Sequence, residues 1–221
     1  MANEPTAKMA DILARDGLKH LKTASYDAAL EAFKESARLY AETGDVANEA
    51  TQRMIVADIY CASGQPDKAL ATYQSVHSIF SSAGDTAGMA SSQNNIGLLL
   101  TRMQRYDEAS AAFNNAMHAF DRCGQPEKVA EQLGNLGSVC RDKHEYTLAL
   151  DYYQQAQTLF LKAGALDKVA DQHANIGYIH AMIGDKKAGL AHFERARDLY
   201  EQTDNTAKAR HTVKNIALIK G

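Results

Sequence analysis

The stretch YDEASAAF at residues 106–113 decides the fold, because similar stretches recur along the chain at a constant spacing. They are YDAALEAF at 26–33, PDKALATY at 66–73, YTLALDYY at 146–153 and KKAGLAHF at 186–193. Each one starts 40 residues after the one before, without insertion or deletion. A fixed period of this length is typical of repeat architectures, in which one small helical or stranded unit is stacked many times.

Two further sets of positions keep the same register. One set consists of the glycines Gly44, Gly84, Gly124 and Gly164, with Asp204 in the fifth place. The other set consists of Asn95, Asn135, Asn175 and Asn215. Because these independent columns agree on one period, the sequence predicts five repeats at about 6–45, 46–85, 86–125, 126–165 and 166–205, followed by a half-repeat at 206–220.

Each repeat is predicted to be a pair of antiparallel helices. Ala109, Phe113 and Ala116 are spaced four and three residues apart, so they share one face of a helix. In the third repeat we expect helices at 86–103 and 107–123, with a turn at 104–106 and a glycine ending the second helix. The half-repeat is expected to be a capping helix that presents Ile216 and Ile219 to the repeat before it. The fold is therefore predicted to be all-α.

The pattern resembles the tetratricopeptide repeat (TPR) family. First helices carry Ile96-Gly97, Leu136-Gly137 and Ile176-Gly177, and second helices carry Ala109-Phe113-Ala116 and its equivalents. The resemblance implies one TPR-like, right-handed α-solenoid over residues 6–221. The period of 40 exceeds the usual length of about 34 and resembles the arrays of Pins, kinesin light chains and bacterial Rap-type regulators. The first repeat departs from the pattern at Asp16-Gly17, and a polar outer face is expected there, as for an N-terminal cap.

Composition narrows the class of function. The chain has 24 basic and 27 acidic residues, a net charge of -3, which provides no basic surface for nucleic acid. No stretch approaches the roughly 18 apolar residues of a membrane span, so no membrane insertion is expected. The three cysteines, Cys61, Cys123 and Cys140, have no metal-ligand spacing and suit free thiols in a reducing, cytoplasmic compartment.

No sequence motif for catalysis or cofactor binding is present, so we expect neither an enzyme nor a cofactor. His173 and His180 lie seven residues apart on one helix face. No Cys, Asp or Glu completes a metal-ligand spacing with them, so they are interpreted as packing histidines and no metal site is predicted. Cys140 is interpreted as a core residue.

The resemblance implies that first helices line a concave groove. In the third repeat, Ser91, Asn95, Leu98 and Arg102 share one face, about 180° from the face of Ile96 and Gly97 on an ideal helix. We extended this face to the other repeats as a candidate peptide-binding groove. Its residues are Ser91, Asn94, Asn95, Leu98, Arg102, Glu131, Asn135, Ser138, Arg141, Asp171, Asn175, Tyr178 and Asn215.

The asparagines in this groove have two interpretations. A carboxamide both donates and accepts hydrogen bonds, so a row of them suits an extended peptide, with Arg102 or Arg141 available for a carboxylate. Alternatively, the row bonds neighbouring helices and sets their stacking.

The leading hypothesis for function is an adaptor or scaffold that binds a peptide or helix of a partner protein in the groove. One alternative is a Rap-like peptide-sensing regulator, although repeats that begin near residue 6 leave no room for the helical bundle preceding them in that class. A second alternative is self-assembly, which an exposed apolar patch on the last helix around Ile216 and Ile219 would favour.

Overall fold

The computed structural model describes residues 3–220, with side chains from residue 4 onward. Within this range the chain forms eleven helices and no strand. They are α1 (Asn3–Lys22), α2 (Tyr26–Thr43), α3 (Val46–Ala62), α4 (Pro66–Ala83), α5 (Thr86–Arg102), α6 (Tyr106–Arg122), α7 (Pro126–Asp142), α8 (Tyr146–Lys162), α9 (Leu166–Met182), α10 (Lys186–Gln202) and α11 (Thr206–Lys220). The predicted all-α content, the five helix pairs and the last single helix are confirmed.

The helices are separated by tight turns that recur every twenty residues. Each turn has one residue with positive φ, such as Gly44 at 74°. In that turn the amide of Asp45 donates to the carbonyl of Tyr40 at 3.0 Å, which ends the helix in a Schellman arrangement. Glycine is favoured at such a position because it has no Cβ to clash. The turn predicted to include Tyr106 ends one residue earlier, since Tyr106 is the first residue of α6.

The chain divides into two compact units, Met1–Ala112 and Phe113–Gly221, called unit 1 and unit 2. In unit 1, Phe33 is fully buried among Ala29, Leu30, Val56 and Ile59. A Cβ on Gly17 would lie 2.8 Å from the Phe33 ring, so this glycine permits close approach of α1 and α2 although Asp16 precedes it. The polar outer face expected of α1 is only partly present, because Met9, Ile12 and Leu18 are exposed.

The described part of unit 2 includes a cluster of buried side chains around Phe160 and Tyr200 and another around Cys140 and Tyr153. Burial of Cys140 agrees with its predicted core position. On α11, Ile216 is buried, and Cδ1 of Ile219 lies 3.5 Å from where a Cβ on Gly189 would be. Both isoleucines therefore pack against the preceding repeat, as predicted for the last helix, and Ile216 does not contribute to an exposed apolar patch.

The exposed large apolar side chains of α11, among the described residues, are instead Val213 and Leu218. None of the helices in the described range is both long enough and apolar enough to cross a membrane. That the five repeats form one array over residues 6–221 stays a prediction.

Candidate functional site

In unit 1 the predicted groove residues lie on α5, on the side away from its core face. Ser91, Leu98 and Arg102 are exposed and Asn94 and Asn95 are half-buried. Ile96, Gly97 and Leu100, on the opposite side of the helix, are buried. This exposure pattern agrees with the helical geometry used in the sequence analysis. We call Asp58 of α3 and these five α5 residues (91, 94, 95, 98 and 102) the unit-1 stripe.

A small cavity of about 120 Å³ adjoins the unit-1 stripe. It is lined by Asp58, Cys61, Tyr73, Asn95, Leu98, Leu99 and Arg102. The Tyr73 hydroxyl donates a hydrogen bond to the Asp58 carboxylate, and burial together with this bond raises the pKa of Tyr73. Burial also raises the pKa of the Cys61 thiol, with Asp58 adding to the effect, so this thiol is not activated as a nucleophile.

In unit 2 the predicted groove residues lie on α7, α9 and α11, each of which is the first helix of its repeat or half-repeat. We call these residues the unit-2 stripe. It consists of Glu131, Asn135, Ser138 and Arg141 on α7, Asp171, Asn175 and Tyr178 on α9, and Asn215 on α11. None of them is buried. The Tyr178 side chain is 48% exposed, and the Arg141 guanidinium lies 5.9 Å from the centre of its ring. That distance allows a cation–π interaction that fixes the aromatic ring.

Several residues of the unit-2 stripe have hydrogen bonds or ion pairs inside the fold, among them Arg141, which pairs with Asp142 at 2.8 Å. The Asp171 carboxylate accepts from the Tyr200 hydroxyl at 2.6 Å and from Lys208 Nζ at 2.7 Å. The Ser138 hydroxyl lies 3.1 Å from that of Tyr153. Glu131 is also paired, with Lys128 at 2.9 Å and Lys168 at 3.8 Å. These side chains therefore have structural partners whether or not a ligand binds.

The asparagines do not behave as one set. Nδ2 of Asn95 lies 3.9 Å from Sδ of Met54, and Oδ1 accepts from Asn94 at 3.3 Å. Asn135 also interacts within the protein. By contrast, the carboxamides of Asn175 and Asn215 have no hydrogen-bond partner among the described residues. Both side chains are only half-buried, so a ligand can reach them. A purely structural role thus does not account for the last two positions.

The sequence analysis did not predict that tyrosine hydroxyls of the second helices contact the polar residues of the stripes, as Tyr73 and Tyr153 do. The aromatic position of the second helix is Tyr where the residue fifteen positions earlier is polar, as in Asp58 with Tyr73 and Ser138 with Tyr153. It is Phe where that earlier residue is apolar or aromatic, as in Tyr178 with Phe193. The sequence therefore contains a signal for these contacts: where the second helix carries Tyr, its hydroxyl lies within hydrogen-bonding distance of the polar stripe residue fifteen positions earlier. Tyr178 is paired with Phe193, which has no hydroxyl, and is exposed.

The histidines form a cluster that includes one residue not considered in the sequence analysis. Nδ1 of His173 lies 3.0 Å from Nδ1 of His192, and the ring of His180 stacks on that of His192 at 5.6 Å. Burial, then the neighbouring His192, lowers the pKa of His173 to about 4, and burial lowers that of His192 as well. Within residues 3–220 no group of three or more potential ligands has a metal-binding arrangement.

Comparisons with known proteins relate the fold to one family. A family model described as tetratricopeptide repeat matches residues 49–122 and 88–162, together more than half of the chain. No curated protein sequence matches.

Solved structures resemble the chain in fold. Aspartyl phosphate phosphatase F from Bacillus subtilis is 14% identical with a TM-score of 0.85, over 100% of this chain and 57% of that one. Nearly identical TPR-like repeats from a Podosopora anserina kinesin light chain are 12% identical with a TM-score of 0.72, over 91% and 99%. RapI in its apo form is 14% identical with a TM-score of 0.66, over 96% and 83%. At these identities the likeness concerns the fold alone, and it confirms the predicted all-α solenoid of the TPR type.

Proposed function

The chain belongs to the tetratricopeptide repeat family, and from this premise we propose that it is an adaptor or scaffold whose stripes bind a peptide or helical segment of a partner protein. Proteins of this family generally serve as protein-interaction modules. The stripes are the surface on which the proposal rests, because function has to be argued from a site rather than from a fold.

The observation that carries the proposal is the exposure of Tyr178 one turn from Asn175, whose amide has no hydrogen-bond partner among residues 3–220. A tyrosine that is 48% exposed, held by Arg141, offers a large apolar area with a polar end. Tyr and Arg are enriched among the residues that dominate protein interfaces. The carboxamides of Asn175 and Asn215 would supply donors and acceptors for the backbone of a bound segment.

Unit 1 supports the same proposal with different chemistry. Leu98 is exposed beside Arg102, at the edge of the 120 Å³ cavity. Such a recess would take one small side chain of the bound segment, while the guanidinium would pair with a carboxylate. Asp58 lies in the same recess and would disfavour a second acidic residue there.

Site-specific photo-cross-linking tests the proposal. A photoreactive phenylalanine analogue is placed at Tyr178 in one variant and at Leu148 in the control, because Leu148 is 43% exposed on the second-type helix α8. We expect a covalent adduct with a partner from native lysate at position 178 and none at 148, with the partner segment identified by mass spectrometry. Equal adducts at both positions, or an adduct at 148 alone, would contradict binding at the stripe.

The double substitution Asn175→Ala with Tyr178→Ala quantifies the contact once a partner segment is known. Loss of an interface tyrosine typically costs about 2 kcal/mol, so affinity should fall roughly thirtyfold or more. Leu148→Ala should leave affinity unchanged. A Rap-like sensor would use the same surface for a short free peptide, and the mass of the adduct distinguishes that alternative from a protein partner.

Self-assembly is a second candidate, favoured by the exposed apolar residues of α11. Leu218 is 80% exposed and Val213 about half exposed. If these residues mediate association, the purified chain will be larger than 24.1 kDa in light scattering, and Leu218→Lys will return it to the monomer mass. A monomer at all concentrations would rule out this candidate and leave the stripe proposal intact.

A further inference from the structure

Unit 2 contains a second recess that the stripes do not use. It is a cavity of about 280 Å³ between α8, α9 and α10, lined by Gln157, Thr158, Leu161, Leu166, Val169, His173, Arg195 and Leu199. Four of these side chains are aliphatic, and Leu161 is 60% exposed at its edge. Aliphatic walls with a few polar groups are the usual composition of small-molecule sites.

The cavity lies on the opposite face of α9 from the unit-2 stripe. Leu166, Val169 and His173 follow one another at helical spacing and point about 180° away from Asn175 and Tyr178 on an ideal helix. A ligand in the cavity would therefore contact none of the stripe residues. Binding here is independent of the proposed adaptor function.

The polar groups of the cavity define the charge of its ligand. Arg195 makes no ion pair or hydrogen bond with any described residue, and no carboxylate lines the cavity. His173 has its Nδ1 engaged by His192, so Nε2 is the ring nitrogen left for a ligand. Since the lowered pKa of His173 keeps its ring neutral near pH 7, the cavity offers one positive charge and one neutral imidazole nitrogen.

We propose that this cavity binds a small amphiphilic monocarboxylate of the medium-chain fatty acid class. The acyl chain would lie against Leu161, Val169 and Leu199, where it leaves water. The carboxylate would accept hydrogen bonds from Arg195 and from Nε2–H of His173. A single cation in a lining that holds no carboxylate selects one negative charge and disfavours a dianion.

Titration with octanoate, followed by NMR of the histidine and methyl groups, tests the ligand class. We expect saturable shift changes at His173 and the cavity leucines, and a rise in the pKa of His173 because the bound carboxylate stabilises its protonated ring. Affinity should grow roughly fourfold per methylene from butyrate to octanoate, as long as each added group is buried. Octanol, which has the chain without the charge, should bind at least tenfold more weakly.

Variants separate the cavity from general surface effects. Arg195→Gln should weaken octanoate binding about tenfold, the loss of a charge-assisted hydrogen bond. Arg197→Gln is the matched control, because Arg197 lies on the same helix, pairs with Asp198 and does not line the cavity. Leu161→Gln should also weaken binding, and its exposed position leaves the core intact.

Three results would overturn the proposal: no saturable shift at millimolar octanoate, octanol binding as tightly as octanoate, or equal affinity of the Arg195 and Arg197 variants. Because the stripe residues do not line this cavity, failure here would leave the cross-linking test of Tyr178 unaffected.

Discussion

Ala24 has a left-handed backbone conformation, with φ of 53°, in the turn between α1 and α2. Glycine is found at the equivalent positions Gly64 and Gly184, with φ of 72° and 85°. For a residue with a Cβ this conformation is strained by roughly 1 kcal/mol. We therefore expect Ala24→Gly to raise the free energy of unfolding by up to about 1 kcal/mol in urea titrations, because relief of strain outweighs the added freedom of the unfolded chain.

Ala163 provides the control for this prediction. It directly follows α8 and has φ of -80°, a conformation that alanine adopts without strain. Ala163→Gly should therefore lower stability by a few tenths of a kcal/mol, through the greater entropy of the unfolded chain alone. If both substitutions change stability in the same direction, the strain argument for Ala24 is wrong.

We expect the histidine cluster to make the stability of unit 2 depend on pH. Burial and the neighbouring His192 lower the pKa of His173 to about 4, from a value near 6.5 in the unfolded chain. The unfolded chain consequently binds more protons between these two values, so stability should be full above about pH 6.5 and fall as pH drops toward 4. Other charged or titratable groups lie near this pair. Arg195 acts on His173 and His180 acts on His192, and Asp185 lies 3.7 Å from His180.

Urea titrations at pH 7.5, 6.0 and 5.0 measure this dependence. In His173→Gln the loss of stability between pH 7.5 and 5.0 should be smaller than in the parent chain, because the variant lacks the histidine whose pKa is lowered by folding. His118→Gln is the control, since His118 is exposed on α6. A His173 variant with the same pH profile as the parent would show that other groups cause the dependence.

At the scale of elements, close approach of the helices depends on glycines that face an aromatic ring. A Cβ on Gly137 of α7 would lie 2.7 Å from Cε1 of Tyr153, whose side chain is fully buried and has no room to retreat. Gly137→Ala should therefore lower the free energy of unfolding by about 1–3 kcal/mol through overpacking. The measurement is again denaturant unfolding, with circular dichroism to verify helix content.

Gly134, one turn earlier on the same helix, isolates the steric effect. A Cβ there would meet nothing nearer than Oε1 of Gln172, at 3.5 Å, an ordinary contact. Gly134→Ala should thus be neutral or stabilising by up to about 1 kcal/mol, since alanine favours helix over glycine. Comparable losses in both variants would mean that the contact with the Tyr153 ring is not the cause of the loss at position 137.

Sequence periodicity predicted the helices well because the same apolar helix positions and turn positions recur in every 40-residue repeat. Turns without glycine have no signal in the residue itself: Gln104 and His144 adopt positive φ although neither residue type favours it, and the turn at 104–106 was predicted from its place in the repeat. The contact with His192 was not predicted, because His173 and His192 lie on different helices, α9 and α10, and meet only when these helices pack. Packing of Gly177 against Phe193 would have located it, since the Cβ of His192 lies beside that glycine.

The accessible amides could not be predicted from the sequence. Asn95, Asn135, Asn175 and Asn215 occupy one register, yet only the last two have no hydrogen-bond partner among residues 3–220. The difference arises from the neighbouring side chains, such as Met54 beside Asn95, which vary from repeat to repeat. Periodicity identifies equivalent positions, whereas the environment of each position depends on residues outside the repeating pattern.

At the scale of the whole molecule, stability should be distributed by repeat rather than held in one core. In unit 1, Phe33 packs against Val56 and Ile59 of the next repeat. In unit 2, Phe160 packs among Leu133 and Val169 of the helices on either side. Each aromatic residue therefore joins its own repeat to a neighbour, and in stacked repeats stability is approximately a sum over such neighbouring interfaces.

Hydrogen exchange measured by mass spectrometry tests this distribution with two matched substitutions, Phe33→Leu and Phe160→Leu. Each should lower stability by about 1–2 kcal/mol by leaving space around a smaller side chain. Because the effect should decay with distance along the repeats, Phe33→Leu is expected to accelerate exchange mainly in α1–α3, and Phe160→Leu mainly in α7–α9. Uniform acceleration over both units in either variant would instead indicate one cooperative unfolding unit, and the additive description by repeats would then be wrong.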